Sequence, residues 1–185
     1  MKKAHARLRR RPFYFPLLLP VVGFLMAALI ISWFLNSQTT TTIILVRHAE
    51  KLIDNGDDPA LSQEGKLRAY TLAHVAGKTG VAAIYASQFK RTQATARPLA
   101  EQLGLEIQTV DAGDADQLYS DVMARHRGEV VLIVGHSNTI PELVQLFGDD
   151  EVPEISEDEY ANLYVVTIPW FGKRRILRLA FGEPG

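Results

Sequence analysis

The sequence of 185 residues contains no cysteine. Disulfide bonds and thiolate metal sites are therefore excluded as sources of stability or of chemistry. A chain of this length has room for one domain of ordinary size. Its 20 Lys and Arg residues nearly balance its 21 Asp and Glu residues, so the net charge is −1.

The near-neutral total hides an uneven distribution of charge. The first 12 residues contain six basic side chains and no acidic one, and residues 13–35 contain no charged side chain at all. From residue 36 onward, 14 basic residues stand against 21 acidic ones. Because this body is acidic, we expect no binding of nucleic acid, and an anionic ligand would need a local cluster of positive groups.

The apolar run 13–35 predicts a transmembrane anchor, because a helix rising ~1.5 Å per residue would cross a bilayer over this length. The basic leader, residues 1–12, would stay in the cytoplasm by the positive-inside tendency. Residues 36–42 would form a polar linker. Residues 43–185 would then lie outside the cytoplasm, which is the periplasm in a bacterium. A cleaved leader, giving a secreted product, is the alternative.

From residue 43 onward, strand-like and helix-like patterns alternate. Strands are predicted at 43–46, 81–85, 105–110, 130–134, 163–168 and 175–180, and helices at 62–77, 90–103, 115–126 and 139–147. The most apolar strand, 130–134, is typical of a parallel sheet that is buried on both faces. A hairpin joins the last two strands and predicts an antiparallel edge. The alternation predicts an α/β fold, a three-layer α/β/α sandwich with a mostly parallel sheet.

Some local expectations accompany this fold. Ser62 can cap the first of these helices, whose apolar face is predicted to be Leu67, Tyr70, Leu72, Ala73 and Ala76. The segment 149–158 holds six acidic residues in ten and is predicted to be a solvated loop. His74 and His126 fall in predicted helices among small or charged residues, and they are interpreted as solvated side chains.

Unusual polar residues follow three of the predicted strands. Arg47 and His48 follow the first strand, Arg91 opens the helix after the second, and His136 follows the strand 130–134. In open α/β sheets, ligands bind beyond the carboxyl ends of the strands. If these strands are neighbours, two arginines and two histidines converge on one edge of the sheet.

This set of residues suits phosphoryl chemistry. Guanidinium groups bind phosphoryl oxygens through paired hydrogen bonds and stay charged. An imidazole is a competent nucleophile near neutral pH because its ordinary pKa is ~6.5. A second, protonated histidine would add a hydrogen-bond donor beside the phosphate, and the N-terminus of the helix at residue 90 could direct its amides at the same anion.

The residues 45–50, Leu-Val-Arg-His-Ala-Glu, resemble the Arg-His signature of the histidine phosphatase superfamily, also called phosphoglycerate mutase-like. The segment 61–65, Leu-Ser-Gln-Glu-Gly, is similar to the Leu-(Ser/Thr)-x-x-Gly helix entry of that family. The segments 85–96 and 134–137 continue the resemblance in the expected order and spacing. The resemblance implies the phosphoglycerate mutase-like fold and, with the apolar leader, a small membrane-anchored phosphatase branch.

The resemblance also implies residue roles. His48 would become transiently phosphorylated, and Arg47, Arg91 and His136 would bind the phosphoryl group and stabilise its transition state. Water would then hydrolyse the phosphohistidine, so the implied function is that of a phosphomonoester hydrolase acting on a small phosphorylated substrate. No metal and no cofactor is implied.

Several alternatives stay open from the residues. The general acid for the leaving group could be Asp111, Asp114 or Glu50, or a residue of the loop 54–58, or it could be absent. Asp111 and Asp114 could instead cap the following helix. A non-catalytic, membrane-anchored protein that binds a phosphorylated ligand is the main rival. A phosphomutase would need enclosing insertions for which this body is short.

A serine hydrolase built on Ser137 is a further rival that the sequence disfavours. A nucleophile elbow requires a small residue two positions after the serine, where this chain has Thr139. No histidine follows His136 in the sequence, so the usual order of serine, acid and histidine cannot be formed.

Overall fold

The structure, a computed structural model, describes residues 15–36, 39–53 and 56–182. The chain divides into two compact units, Met1–Gln38 and Thr39–Gly185. The first unit contains the helix α1 (Phe15–Asn36), and the second contains all the other elements. The predicted leader, residues 1–12, lies outside the described residues.

Helix α1 is apolar along its length and carries Phe24 and Trp33 as strongly exposed side chains. Within the described part of the chain, no helix combines the length and the apolar character that crossing a membrane requires. The predicted transmembrane anchor over residues 13–35 is therefore not supported, and residues 13 and 14 of it lie outside the described residues.

The second unit is built on one six-stranded sheet with the order β3-β2-β4-β1-β5-β6. The strands are β1 (Thr41–Arg47), β2 (Val81–Ser87), β3 (Ile107–Val110), β4 (Val130–Gly135), β5 (Asn162–Ile168) and β6 (Arg175–Ala180). Strands β1 to β4 pair in parallel, whereas β5 and β6 are antiparallel additions. The predicted α/β fold with a mostly parallel sheet is confirmed. Strand β1 begins at Thr41, so the end of the predicted polar linker, residues 41 and 42, is part of the sheet.

Helices cover both faces of this sheet. They are α2 (Gln63–Ala76), α3 (Lys90–Leu103), α4 (Ala115–Arg125) and α5 (Thr139–Gly148). Alternate residues of β1 separate the two sides, since Ile43 and Leu45 pack with α4 and α5 while Ile44 and Val46 pack with α2 and α3. This alternation follows from the two-residue period of a strand. The three layers therefore enclose two apolar cores, one on each face.

Helix α2 begins as predicted, with the Ser62 hydroxyl accepting a hydrogen bond of 3.0 Å from the Gly65 amide. Its predicted apolar face is partly wrong, because Leu67 and Tyr70 are exposed. The buried face instead consists of Gly65, Arg68, Ala69, Leu72, Ala73 and Ala76. The mostly small residues of this face let α2 approach α3 closely, and the larger Leu67 and Tyr70 side chains face outward.

The parallel strands carry their carboxyl ends to one edge of the sheet. Arg47 at the end of β1 is in register with Gly135 at the end of β4, and Ser87 ends β2 beside them. Because β5 is antiparallel to β1, it starts at this same edge, with Leu163 opposite Val46. The loop that leads into β5 is therefore brought to the edge where the predicted site residues lie.

We predict that Gly65→Ala lowers the free energy of unfolding by about 1–3 kcal/mol, the usual cost of overpacking. A Cβ atom at this position would meet the carbonyl oxygen of Glu50 well inside van der Waals contact, so α2 would have to move away from the loop after β1. Urea unfolding of the full chain measures the change. Gly113→Ala is the matched control, because its Cβ would make only an ordinary contact of 3.5 Å with Asp111. Equal losses in both variants would contradict the prediction.

Candidate active site

His48 is held in place by two hydrogen bonds to backbone carbonyl oxygens, one from its amide and one from its ring. Its amide donates to the Gly135 carbonyl oxygen at 2.9 Å, which extends the pairing of β1 with β4 by one residue. Its ring Nδ1 lies 2.8 Å from the Ala49 carbonyl oxygen. A carbonyl can only accept, so Nδ1 carries the proton and Nε2 has the free lone pair. The side chain is buried, and its one unprotonated nitrogen is the atom able to act as a nucleophile.

Arg47 is the largest fully buried side chain described in the protein. Its Nη1 donates to the carbonyl oxygens of Ser156 and Glu159, at 2.7 and 3.1 Å, and its Nη2 donates to Glu157 Oε2 at 3.1 Å. The guanidinium carbon also lies 4.2 Å from the centre of the Tyr160 ring. The segment 156–160 thus supplies the contacts that neutralise and hold this buried cation.

His136 is oriented by a chain of hydrogen bonds that starts on β2. Its Nε2 lies 2.8 Å from the Ser87 hydroxyl, which lies 2.8 Å from the hydroxyl of Thr92. Nδ1 of His136 lies 3.5 Å from Nη2 of Arg91, a group that can only donate. The neutral ring therefore carries its proton on Nε2, donates to Ser87 and presents Nδ1 toward Arg91.

The end of β1, the start of α3 and the turn after β4, where the sequence predicts site residues, meet around one cavity of about 280 Å³. The rings of His48 and His136 are 5.4 Å apart between centroids, and the Arg91 guanidinium is stacked 4.3 Å from the Phe89 ring centre. The cavity is lined by Arg47, His48, Lys51, Phe89, Arg91, Ala112, His136, Ser137, Asn138 and Glu157. All four residues predicted from the sequence, Arg47, His48, Arg91 and His136, are thus brought together.

Burial and the neighbouring cations keep both histidines neutral. Removal from water lowers the pKa of His48 to about 3, with a contribution from the positive charge of Arg47. Removal from water likewise lowers the pKa of His136 to about 4, with contributions from Arg91 and Arg47. Two buried arginine atoms, Nε of Arg47 and Nε of Arg91, have no hydrogen-bond partner within the described residues. Such donors are costly when unpaired, and an anion in the cavity would stabilise the whole group.

The carboxylates considered from the sequence have other partners. Glu50 accepts hydrogen bonds from Arg68 at 2.7 and 2.6 Å in a buried ion pair. Asp111 accepts from the Gly113 amide at 2.8 Å, and Asp114 caps α4 by accepting from the Gln117 amide at 3.0 Å. Asp58, in the loop before α2, accepts from the Lys90 amide at 2.9 Å and lies 3.6 Å from Arg91. None of these four carboxylates lines the described cavity.

The sequence interpretation missed the segment 156–160 and the role of its residues around Arg47. The acidic segment 149–158 is exposed over much of its length, but Ile155 is buried and Glu157 reaches into the cavity. A signal was available, because the predicted hairpin implies that an antiparallel strand follows this segment. A strand that is antiparallel to β1 starts beside the carboxyl end of β1. The segment that precedes it therefore also lies at that edge of the sheet.

His126 is another correction. The sequence predicts a solvated side chain, but its Nε2 lies 3.0 Å from the Tyr85 hydroxyl and its Nδ1 lies 2.7 Å from Glu129. It lies after α4, beside the start of β4 and therefore away from the cavity. His74 is exposed as predicted. Within the ranges that the structure describes, no three His, Asp or Glu side chains gather as a metal site would require.

Comparison with protein families gives one match. The model of the histidine phosphatase superfamily (branch 1) matches residues 43–112, which include Arg47, His48 and Arg91. None of the curated protein sequences compared with the chain matches it. The part matched by the family runs from β1 to the residues just after β3.

Solved structures with the same fold are similar over most of the chain. Mycobacterial hydrolase 2 has a TM-score of 0.65 at 16% identity and covers 80% of this chain and 94% of its own. A mycobacterial glucosyl-3-phosphoglycerate phosphatase has a TM-score of 0.59 at 16% identity, with 74% and 97% covered. The protein histidine phosphatase SixA, solved with tungstate, has a TM-score of 0.61 at 17% identity, with 75% and 96% covered. The fold is therefore similar to histidine phosphatase folds, and the comparisons do not support a membrane-anchored branch.

We predict that the ring nitrogen signals of His48 and His136 do not titrate between pH 8 and about pH 5. Both pKa values are lowered, to about 3 and about 4, so the neutral forms persist as the pH falls through the ordinary histidine range near ~6.5. Nitrogen NMR in phosphate-free buffer measures this, and His48→Ala and His136→Ala spectra assign the two signals. A midpoint near the ordinary value for either ring would overturn the described protonation state.

Proposed function

We propose that this chain is a metal-independent phosphomonoester hydrolase of the histidine phosphatase superfamily that acts through a phosphohistidine on His48. The observation that carries the proposal is the unprotonated Nε2 of a buried, neutral His48 in a cavity shared with two arginines and a second histidine. The family match over residues 43–112 and the fold shared with known phosphatases support it.

In the proposed reaction, Nε2 of His48 attacks the phosphorus atom while the bond to the leaving oxygen breaks. Arg47 and Arg91 donate to the phosphoryl oxygens, over which the negative charge spreads during transfer. The Nε atoms of both arginines, which have no hydrogen-bond partner within the described residues, can serve this purpose. The dianion also favours protonation of His136, whose Nδ1 faces Arg91, so that His136 becomes a further donor. Water then attacks the phosphohistidine and releases inorganic phosphate and neutral His48.

The position of His48 is fixed by hydrogen bonds that join the loop after β1 to α3 and to β4. The Ala49 amide donates to the Thr95 hydroxyl at 2.9 Å, which ties the loop after β1 to α3. The backbone bond to Gly135 ties the same loop to β4. Holding the reacting nitrogen in this way lowers the entropy cost of reaching the transition state.

We expect His48→Ala to reduce turnover of para-nitrophenyl phosphate by at least about a thousandfold, because the nucleophile is removed while the arginines remain. His74→Ala, which alters an exposed histidine of α2, is the control and should retain full activity. Release of nitrophenolate by the purified full chain measures the rate. A base-stable, acid-labile phosphoenzyme trapped from the wild type, and absent from His48→Ala, would identify the intermediate.

Two other outcomes would change the assignment. Binding of the aryl phosphate without turnover, unaffected by His48→Ala, would contradict catalysis and favour a protein that binds a phosphorylated ligand. Transfer of the phosphoryl group to an added alcohol or sugar in preference to water would favour a phosphomutase. Neither outcome is expected, since nothing in the open cavity described here encloses the phosphohistidine against water.

The location of the catalytic unit outside the cytoplasm stays a prediction, carried by the basic leader and the apolar segment after it. In intact bacterial cells with a permeabilised outer membrane, added protease should digest the unit Thr39–Gly185. A cytoplasmic host protein that survives the treatment is the control. Digestion that occurs only after the cells are lysed would contradict the prediction.

A further inference from the structure

Glu157 places a carboxylate at the mouth of the cavity. Its Oε2 accepts from Arg47 Nη2 at 3.1 Å, and its Oε1 accepts from the Ser137 hydroxyl at 2.9 Å. The carboxylate thus bridges the end of β1 and the residue after His136. The Glu157 side chain is 76% exposed, whereas that of Arg47 is 1% exposed, so the pair runs from the wall of the cavity to its rim.

This position is on the side from which a leaving group must depart. In phosphoryl transfer, the attacking and leaving atoms are roughly in line on opposite sides of phosphorus. His48 is a buried residue of the cavity wall, so in the proposed reaction the leaving oxygen points away from that wall, toward solvent and the exposed rim. Glu157 is the only carboxylate that lines the cavity within the described residues. The other carboxylates considered for this role, Glu50, Asp58, Asp111 and Asp114, do not line it.

We propose that Glu157 is the general acid that protonates the leaving-group oxygen. This inference rests on the proposed phosphatase function and deepens it. As Nε2 of His48 forms its bond to phosphorus, the P–O bond to the leaving group breaks, and the proton of the Glu157 carboxyl passes to that oxygen, which leaves as a neutral alcohol. In the second step the Glu157 carboxylate accepts a proton from the attacking water while the P–N bond breaks, which restores the acid and neutral His48.

Binding of substrate would give Glu157 the proton that this role requires. The Ser137 hydrogen bond and the Arg47 cation lower the pKa of Glu157, and the side chain is ionised. A phosphoryl dianion competes for Arg47 and places like charge beside the carboxylate. Both changes raise the pKa of a carboxyl group. The carboxylate therefore takes up a proton as the substrate enters, which is the state needed for donation.

The test compares two substrates of similar size in the full chain. The leaving group of para-nitrophenyl phosphate departs without protonation, whereas benzyl phosphate must release an alkoxide that needs a proton. Glu157→Gln keeps the shape of the side chain and a hydrogen bond to Ser137 but cannot transfer a proton. We expect its kcat for benzyl phosphate to fall by about 10²–10⁴-fold, the usual range for general acid catalysis, and its kcat for para-nitrophenyl phosphate to fall by less than about tenfold.

Glu151→Gln is the matched control, because Glu151 is an exposed carboxylate of the same acidic segment and does not line the cavity. It should leave both rates unchanged. The KM of Glu157→Gln for both substrates should also fall, since the neutral amide competes less strongly than a carboxylate for Arg47. The loss of kcat together with a lower KM separates proton donation from general damage to the fold.

Other results would overturn the assignment of Glu157. Equal losses on the two substrates would mean that the residue holds Arg47 in place but donates no proton. A higher kcat on both would mean that the carboxylate merely obstructs the site. In either case para-nitrophenyl phosphate turnover that depends on His48 would leave the phosphatase function standing. Absence of turnover of both substrates by the wild type would instead contradict the proposed function itself.

Discussion

The hydrogen bond from the His48 amide to the Gly135 carbonyl oxygen continues the β1–β4 pairing one residue beyond the end of β1. Through it, the loop carrying His48 and the turn carrying His136 are fixed by the register of two central strands that are buried along most of their length. The two rings are consequently 5.4 Å apart without any direct hydrogen bond between them. Slippage of one residue between β1 and β4 would reverse the side chains of a whole strand between the two cores, so packing on both faces protects the geometry of the site.

The same edge of the sheet holds two arginine side chains that are largely removed from solvent. Arg47 is buried and Arg91 is largely buried. Burial and these positive charges lower the pKa values of His48 and His136, so both rings are neutral. The cost of burying Arg47 is offset by two carbonyl oxygens, a carboxylate and the face of Tyr160. An arrangement of this kind is organised for an anion before the anion arrives, and little reorganisation is needed during the reaction.

Much of the fold could be predicted from the sequence because the patterns are local. Helix α3 runs over the predicted residues and ends at Leu103, before Gly104, which adopts the left-handed conformation that favours glycine. The burial of β4 follows from its continuous apolar composition. The predicted apolar face of α2 is wrong at Leu67 and Tyr70. The face that α2 buries depends on the close contact of Gly65 with the backbone of Glu50, and the pattern of residues within the helix does not show this contact.

The candidate site likewise has a part that the sequence pattern predicts and a part that depends on contacts between distant segments of the chain. Arg47, His48, Arg91 and His136 each follow a strand of a parallel sheet, so their convergence could be predicted from the strand pattern. The surroundings of Arg47 come from residues more than a hundred positions later in the chain. Composition marks that segment as acidic and polar, but the order of strands in the sheet determines that it returns to β1. The contacts of His126 with Tyr85 likewise depend on how β2 and β4 lie side by side.

The contact between Arg47 and Glu157 has a consequence for how the site empties. In the proposed reaction, the product phosphate must compete for the guanidinium with a carboxylate that is tethered to the same chain and has a high effective concentration there. Each departing phosphate is replaced by this internal counterion without waiting for an anion from solution. Under the proposed function, free phosphate is therefore expected to bind this site weakly, even in surroundings rich in phosphate.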